Sequence, residues 1–279
     1  MELNHKQLAR QLTAVAQQAG CVEMEVYRRD IEVNLKSDNS PVTEADRLAE
    51  NIILKALSEI APDIPIISEE AASQGSIPHV GPQFFLVDPL DGTKEFVRKS
   101  DEFTINIALI EKGEVVFGLV YAPAKQMLFV TLAGNKAVAT QLDPCGPTVT
   151  FDELAFRPII TRAPPSEGIT VVASRSHMTD ETRTYIDRFH VAELASAGSS
   201  LKFCLLAEGK ADLYPRFGPT MEWDTAAGHA ILKAAGGEVV NASGAPLLYG
   251  QNASNLRNPH FIAVGRRGVL DKIMLDQAN

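Results

Sequence analysis

Apolar residues open the chain at helical spacing: Leu8, Leu12, Val15, Ala16, Ala19 and Met24 recur every three to five positions or so. That period predicts an amphipathic helix over 3–28 with one buried face. Ser37-Asp38-Asn39-Ser40-Pro41 reads as a turn, and Thr43 starts a second helix to about Ile60, ended by Pro62. Short apolar runs predict strands at 64–68 and 84–88. A strand-rich stretch follows at 104–111, 114–121 and 126–131, with Glu111-Lys112-Gly113-Glu114 as a hairpin turn. Between about 140 and 168 Pro and Gly accumulate, which predicts loop and a boundary between halves. Beyond it come a strand at 170–173, a helix from Thr179 and a helix near 200–208. Next, an Ala-rich helix opens at Trp223-Asp224 and stops at Gly236-Gly237, which suits a C-cap. Strands at 238–240 and 261–264 and a last helix from about Gly268 complete the pattern. The expectation is α/β overall: an α+β half over 1–165 and an α/β half over 166–279, layered and acting as one unit.

With 279 residues and 45% hydrophobic content, the chain is long enough for a sizeable core. Its formal net charge of -9 argues against a general binder of nucleic-acid polymers, which needs a cationic surface. A small anionic ligand stays open, because bound cations reverse the sign of a pocket locally. Cys21, Cys145 and Cys204 are odd in number and lack metal spacing, so free thiols in a reducing cytoplasm are expected. The start, Met-Glu-Leu-Asn-His-Lys-Gln, has no apolar core of a signal peptide, and no stretch approaches membrane-spanning length. A cytoplasmic protein is expected, with peripheral contact at the inner membrane face left open.

The most informative run is Val87-Asp88-Pro89-Leu90-Asp91-Gly92-Thr93. A buried strand is expected to end on Asp88, with Asp91 just beyond and a short helix over 93–98. Two carboxylates and a helix N-terminus at one strand end suit a metal ion holding a phosphate. An Asx-turn or helix cap reads equally well from this run alone. Asp46 in the first turn of the second helix, Glu69-Glu70 after a strand and Asp224 at a helix start repeat the theme. Each singly reads as a cap or a solvated charge. Together they define an acidic constellation. Like charges about 4 Å apart repel by roughly 4 kcal/mol at an effective dielectric near 20. Such a cluster needs raised pKa values or bound cations, and oxygen-only ligands favour Mg²⁺ over zinc.

The blocks Ile67-Ser68-Glu69-Glu70, Asp88-Pro89-Leu90-Asp91-Gly92-Thr93 and Trp223-Asp224, with Gly236-Gly237 beyond, resemble the lithium-sensitive, Mg²⁺-dependent phosphatases of the inositol monophosphatase superfamily. Within it, the bacterial 3′(2′),5′-bisphosphate nucleotidases look most similar. Ser37 to Thr43, Asp88 to Phe96, Ser174-Arg175-Ser176-His177, Ser199 to Cys204 and Tyr214 to Thr220 carry that likeness. The resemblance implies a layered αβαβα sandwich. It implies one Mg²⁺ on Glu69, Asp88 and the Leu90 carbonyl, and a second on Asp88, Asp91 and Asp224. A third, weaker Mg²⁺ is proposed in such enzymes, and Li⁺ inhibits them. The backbone N–H groups of Gly92 and Thr93 would hold the phosphate being cleaved. Thr93 with Asp46 would take a proton from the attacking water, supported by Glu70. In-line attack by water with inversion at phosphorus follows, and no Cys, Ser or His nucleophile is required.

Substrate choice is expected in the second half. A bisphosphate presents a second anion, and Lys202 and Arg216 suit it; singly they read as a solvated helix residue and a surface salt bridge. By the resemblance Ser174, His177 and Ser199 line a nucleoside pocket, and Glu69, Leu90, Asp91, Gly92, Thr93 and Asp224 also contact substrate. The expected activity is removal of the 3′-phosphate from adenosine 3′,5′-bisphosphate, with the sulfated form PAPS as a further substrate, linked to sulfate assimilation. An inositol or sugar phosphatase and a non-catalytic nucleotide sensor are the alternatives.

Overall fold

The computed structural model describes residues 3–36, 41–133, 136–173, 178–251, 255–266 and 269. Helix α1 (His5–Tyr27) is capped by Asn4, whose side chain accepts from the Lys6 and Gln7 N–H groups. A two-stranded antiparallel ribbon, β1 (Val33–Leu35) and β2 (Pro41–Thr43), leads into α2 (Glu44–Ile60). Next come β3 (Ile66–Ser68), α3 (Glu69–Ser73), β4 (Gln83–Asp91) and α4 (Thr93–Val97). Strands β5 (Thr104–Glu111), β6 (Glu114–Ala122), β7 (Met127–Leu132), β8 (Lys136–Gln141) and β9 (Arg157–Ile159) follow. β3 to β9 form a seven-stranded sheet in chain order, antiparallel except for the β3–β4 pair.

The rest of the chain runs β10 (Ile169–Ala173), α5 (Asp180–Ile186), β11 (Val191–Ser196), α6 (Leu201–Ala207) and β12 (Leu213–Arg216). It continues with α7 (Glu222–Ala234), β13 (Glu238–Asn241) and β14 (Phe261–Val264). These strands make a five-stranded sheet in the order β11-β10-β12-β14-β13.

Burial explains the layers. Along β5, Ile105, Ile107 and Leu109 pack in one core with Leu8, Leu12 and Ala16 of α1 and Ile53 and Leu57 of α2. The intervening Ala108 and Ile110 join a second core with Phe203 of α6, Ile231 of α7 and Tyr214 and Phe261 of the second sheet. A strand covered on both faces reads as a continuous apolar run, and β5 has one from Ile107 to Ile110. Behind the second sheet, Tyr185 and Ile186 of α5 pack on Val171, Leu213 and Val264. The order is helices, sheet, helices, sheet, helix, as the αβαβα expectation required.

Several boundaries differ from those expected. β4 does not end at Asp88. Its pairing with β5 passes from Asp88↔Asn106 to Asp91↔Thr104 through a bulge at Pro89-Leu90. Pro89 has no N–H to donate, so the ladder breaks there and resumes at Asp91. The stretch from 140 to 168 is not all loop, since β9 closes the first sheet there; Pro158 on an edge strand hid it. β12 was hidden likewise by Pro215, and β11 by its exposed edge position. β8, rich in Ala and polar residues, and the three-residue β1 and β2 gave no apolar run to read. Of the turn expected at 37–41, residues 37–40 lie outside the described residues, as does most of the last helix, and Pro41 begins β2. Among the described residues no helix is long and apolar enough to cross a membrane.

Candidate active site

Four chain segments deliver the acidic residues to one place. Asp46 is the third residue of α2, and its Oδ2 accepts from both the N–H and the hydroxyl of Thr43, each at 2.7 Å. This capping box fixes the carboxylate and leaves Oδ1 facing Thr93, whose Oγ1 lies 3.3 Å away. Asp224 has the same post on α7: its Oδ2 accepts from the Met221 N–H at 2.8 Å. Each aspartate is therefore a helix cap that also stands at the acidic cluster, so capping does not exclude a role in the site.

The bulge sets the centre. Asp88 is 1% exposed and its Oδ1 accepts from the Leu90 N–H at 3.0 Å. Asp91 is half-buried, 3.4 Å from the amide nitrogen of Asn106. Gly92 then turns left-handed, φ 93° and ψ 39°, to start α4. A side chain at Gly92 would sit 3.1 Å from the Glu102 carbonyl, so glycine serves both the conformation and the close approach. The first N–H groups of α4 have no partner within the helix, an arrangement suited to an anion, and Gly92 and Thr93 line the cavity.

Burial and mutual repulsion dominate the electrostatics. Burial, then repulsion from Glu69, Asp91 and Asp224, pushes Asp88 well above the usual carboxylate range. Burial with Asp91 and Glu69 does the same to Asp224. Burial lifts Asp91 to about 6, against the pull of the Lys202 ammonium. Glu70 rises to about 7 by burial, opposed by Lys36. Lys36 lies 2.6 Å from Glu69 Oε1 and 2.5 Å from Glu70 Oε1.

Cations face this cluster across a cavity of about 380 Å³ lined by Glu69, Asp91, Gly92, Thr93, Ser199, Lys202, Arg216 and Asp224. Lys202, which alone reads as a solvated residue, is 6% exposed; its ammonium donates to the Ser199 carbonyl at 2.5 Å and stands over the Tyr214 ring. Burial lowers it to about 8, with Asp91 holding it up. Arg216 is 8% exposed and donates to the Pro219 carbonyl at 3.0 Å, so it is no surface salt bridge. Its Nε is buried without a hydrogen-bond partner among the described groups, as is Ser199 Oγ. A larger cavity of about 850 Å³ lies near residues 196–197, but the site carboxylates and Lys202 do not line it.

The donor set fits a hard divalent cation: buried and half-buried carboxylates that repel one another, one backbone carbonyl and no thiol or imidazole. As they stand, no three acidic, His or Cys side chains among the described residues are grouped closely enough to hold one ion.

A model of the inositol monophosphatase family matches residues 4–268. The chain belongs to the inositol monophosphatase family. It is 44% identical over 253 residues to the 3′(2′),5′-bisphosphate nucleotidase CysQ of Salmonella typhimurium, covering 90% of this chain and 97% of that one. The protein of the same name in Haemophilus influenzae is 32% identical over 94% of each chain. Among solved structures, CysQ from Bacteroides thetaiotaomicron superposes with a TM-score of 0.75 at 38% identity, covering 95% of this chain and 99% of that one. An IMPase of Thermotoga maritima superposes at 0.73 with 26% identity, over 95% and 96% of the two chains.

Asp46, Glu69, Glu70, Asp88, Leu90, Asp91, Gly92, Thr93, Ser199, Lys202, Arg216 and Asp224 all lie in or directly around this cavity. Ser174 and His177 lie outside the described residues. Sequence reasoning missed Lys36, Asn106 and Ser200. Ser200 Oγ donates to Asn106 Oδ1 at 2.6 Å and contacts Thr104 Oγ1 at 2.9 Å, tying α6 to β5 beside Asp91. Lys36 stands one residue before, and Ser200 inside, a segment that carried the likeness; Asn106, ten residues beyond Phe96, had no such signal.

Proposed function

We propose that this chain hydrolyses the 3′-phosphate of adenosine 3′,5′-bisphosphate to AMP and phosphate, with PAPS as a further substrate, in the cytoplasm. The observation that carries the reading is the shared cavity: the half-buried Glu69, Asp91 and Asp224 on one side, backed by buried Asp88, and buried Lys202 and Arg216 on the other. A simple monophosphate gives those two cations nothing to bind. A second phosphate does, and the nucleotidase relatives support the choice.

Members of the family are generally Mg²⁺-dependent and lithium-sensitive. Glu69, Asp88, the Leu90 carbonyl, Asp91 and Asp224 would hold two Mg²⁺ ions, and a third, weaker ion and displacement by Li⁺ belong to the same reading. Bound there, the metal would supply Lewis-acid chemistry, neutralising phosphate charge and making water easier to deprotonate. The N–H groups of Gly92 and Thr93 orient the phosphate for in-line attack. Thr93 Oγ1 accepts the proton of the attacking water and passes its own to Asp46 Oδ1, a carboxylate that burial makes more basic. Glu70 supports that water. Lys202 and Arg216 fix the 5′-phosphate, so the nucleotide enters in one orientation. The two halves, 1–165 and 166–279, serve this site as one catalytic unit.

The test is phosphate release from adenosine 3′,5′-bisphosphate and inositol 1-phosphate side by side, with Mg²⁺, EDTA and Li⁺, for the natural protein and Lys202→Met. Fast Mg²⁺-dependent, lithium-sensitive turnover of the bisphosphate, lost selectively in Lys202→Met, is expected. Equal losses on both substrates would remove the basis for the nucleotide assignment.

A further inference from the structure

Cys21 and Cys145 are 124 positions apart in sequence and adjacent in space. Cys21 lies in the last two turns of α1 and is half-buried, whereas Cys145 is exposed in the turn after β8. The Cys145 thiol donates to the Cys21 carbonyl at 3.7 Å, which sets the two cysteines side by side. The turn is anchored on both sides of Cys145. Gln17 of α1 donates to the carbonyls of Asp143 at 2.8 Å and Pro147 at 3.3 Å, and the Tyr121 hydroxyl donates to the Leu142 carbonyl. Asp143 Oδ1 accepts from the Cys145 N–H at 3.1 Å. The Arg28 guanidinium lies 4.0 Å from the Cys145 sulfur.

We infer that Cys21 and Cys145 form an oxidisable dithiol, a modification site that closes to a disulfide on exposure to a hydroperoxide and staples α1 to the 142–147 turn. The exposed Cys145 meets the oxidant first. Its sulfur attacks one peroxide oxygen; an S–O bond forms, the O–O bond breaks, and the departing oxygen leaves as water or alcohol after taking a proton. The Cys21 sulfur then attacks the sulfenic sulfur of Cys145. An S–S bond forms, the S–O bond breaks, and the hydroxide carries off the Cys21 proton as water. Two thiols lose two electrons and the hydroperoxide gains them. A dithiol reductant reverses the step by exchange.

The same arrangement explains why Cys21 is the resolving thiol. Burial, then the contact with Cys145, pushes it up to about 12, so it stays protonated and unreactive until a sulfenic sulfur is presented beside it. Cys204, the third cysteine, is wholly inside the core between the sheets, and burial pushes its thiol up as well. It takes no part.

The test uses the full chain, reduced and then treated with one equivalent of hydrogen peroxide. Thiol counting under denaturing conditions should fall from three to one, and peptide mapping should join Cys21 to Cys145. Because the bridge closes a long loop, the oxidised protein should melt higher by about 5 °C or more, reversed by dithiothreitol. Cys204→Ser should keep the bridge, whereas Cys21→Ser and Cys21→Ala should lose both bridge and shift. The inference is overturned if the wild-type protein keeps three thiols, if Cys145 accumulates as sulfinate, or if non-reducing gels show only dimers joined through Cys145.

Discussion

The Lys36 ammonium and the Glu70 carboxylate form an ion pair at 2.5 Å, with both side chains almost wholly withdrawn from water. Lys36 also reaches Glu69 at 2.6 Å, so one ammonium balances two of the acidic residues proposed to serve the metal centre. Removing one partner of a buried pair strands the other and costs about 3–5 kcal/mol. Lys36→Met is therefore expected to destabilise the metal-free protein by that order. Mg²⁺ should then restore more stability to the variant than to the natural chain, because the ion no longer competes with an ammonium at Glu69. Chemical denaturation with EDTA and with Mg²⁺ measures both arms. A variant no more responsive to Mg²⁺ than the natural protein would separate Lys36 from the metal centre.

Thr93 Oγ1 is 3.3 Å from both Asp46 Oδ1 and the Leu90 carbonyl, and it has a single proton to donate. In the proposed mechanism its route to Asp46 is the one that moves a proton. Asp46→Asn and Thr93→Ala should each lower kcat by roughly 10²–10⁴-fold. Acting as one relay, the pair should be non-additive: the double variant should be little slower than the slower single one. Losses that multiply in the double variant would show two separate roles.

Most of this site was legible because its residues double as local structure. Asp46 and Asp224 stand three residues after their caps, and the Asp88-Pro-Leu-Asp-Gly run writes a bulge and a helix start into consecutive letters. Apolar periodicity read α1, α2, β5 and β6 almost to the residue because each buries a continuous face. Lys36 and the Ser200–Asn106 contact were not legible. Their partners lie 33 and 94 positions away, and only tertiary packing brings them together. β9 and β12 failed for a local reason, since Pro158 and Pro215 contradict the strand pattern that edge and ladder geometry nonetheless accept.

Gly118 on β6 determines how closely α7 approaches the first sheet. A Cβ there would meet the Ala227 carbonyl at 2.4 Å and the Ala230 side chain at 2.8 Å. Gly118→Ala should therefore push α7 outward and cost roughly 1–3 kcal/mol. Asp224 rides on the same helix, so the Mg²⁺ concentration giving half-maximal turnover should rise together with the loss of stability. An unchanged Mg²⁺ requirement in a destabilised variant would show that Asp224 is positioned independently of the β6–α7 contact.

Glu23 faces inward from α1 with no exposed surface, and neither carboxyl oxygen has a hydrogen-bond partner among the described groups. Burial, then repulsion from Asp46, raises it well above its ordinary value of 4.5. The sign follows from proton counting. Above about pH 4.5 the unfolded chain releases this proton while the folded chain keeps it, so folding loses about 1.4 kcal/mol per pH unit from this group until the folded value is reached. The contribution is most favourable below the unfolded value and declines as pH rises. Glu23→Met fills similar volume without the carboxyl. It should be more stable than the natural protein by a margin that widens from pH 5 to pH 8, read from urea midpoints at constant m-value. A margin that stays flat across that range would mean that Glu23 already ionises in the folded state.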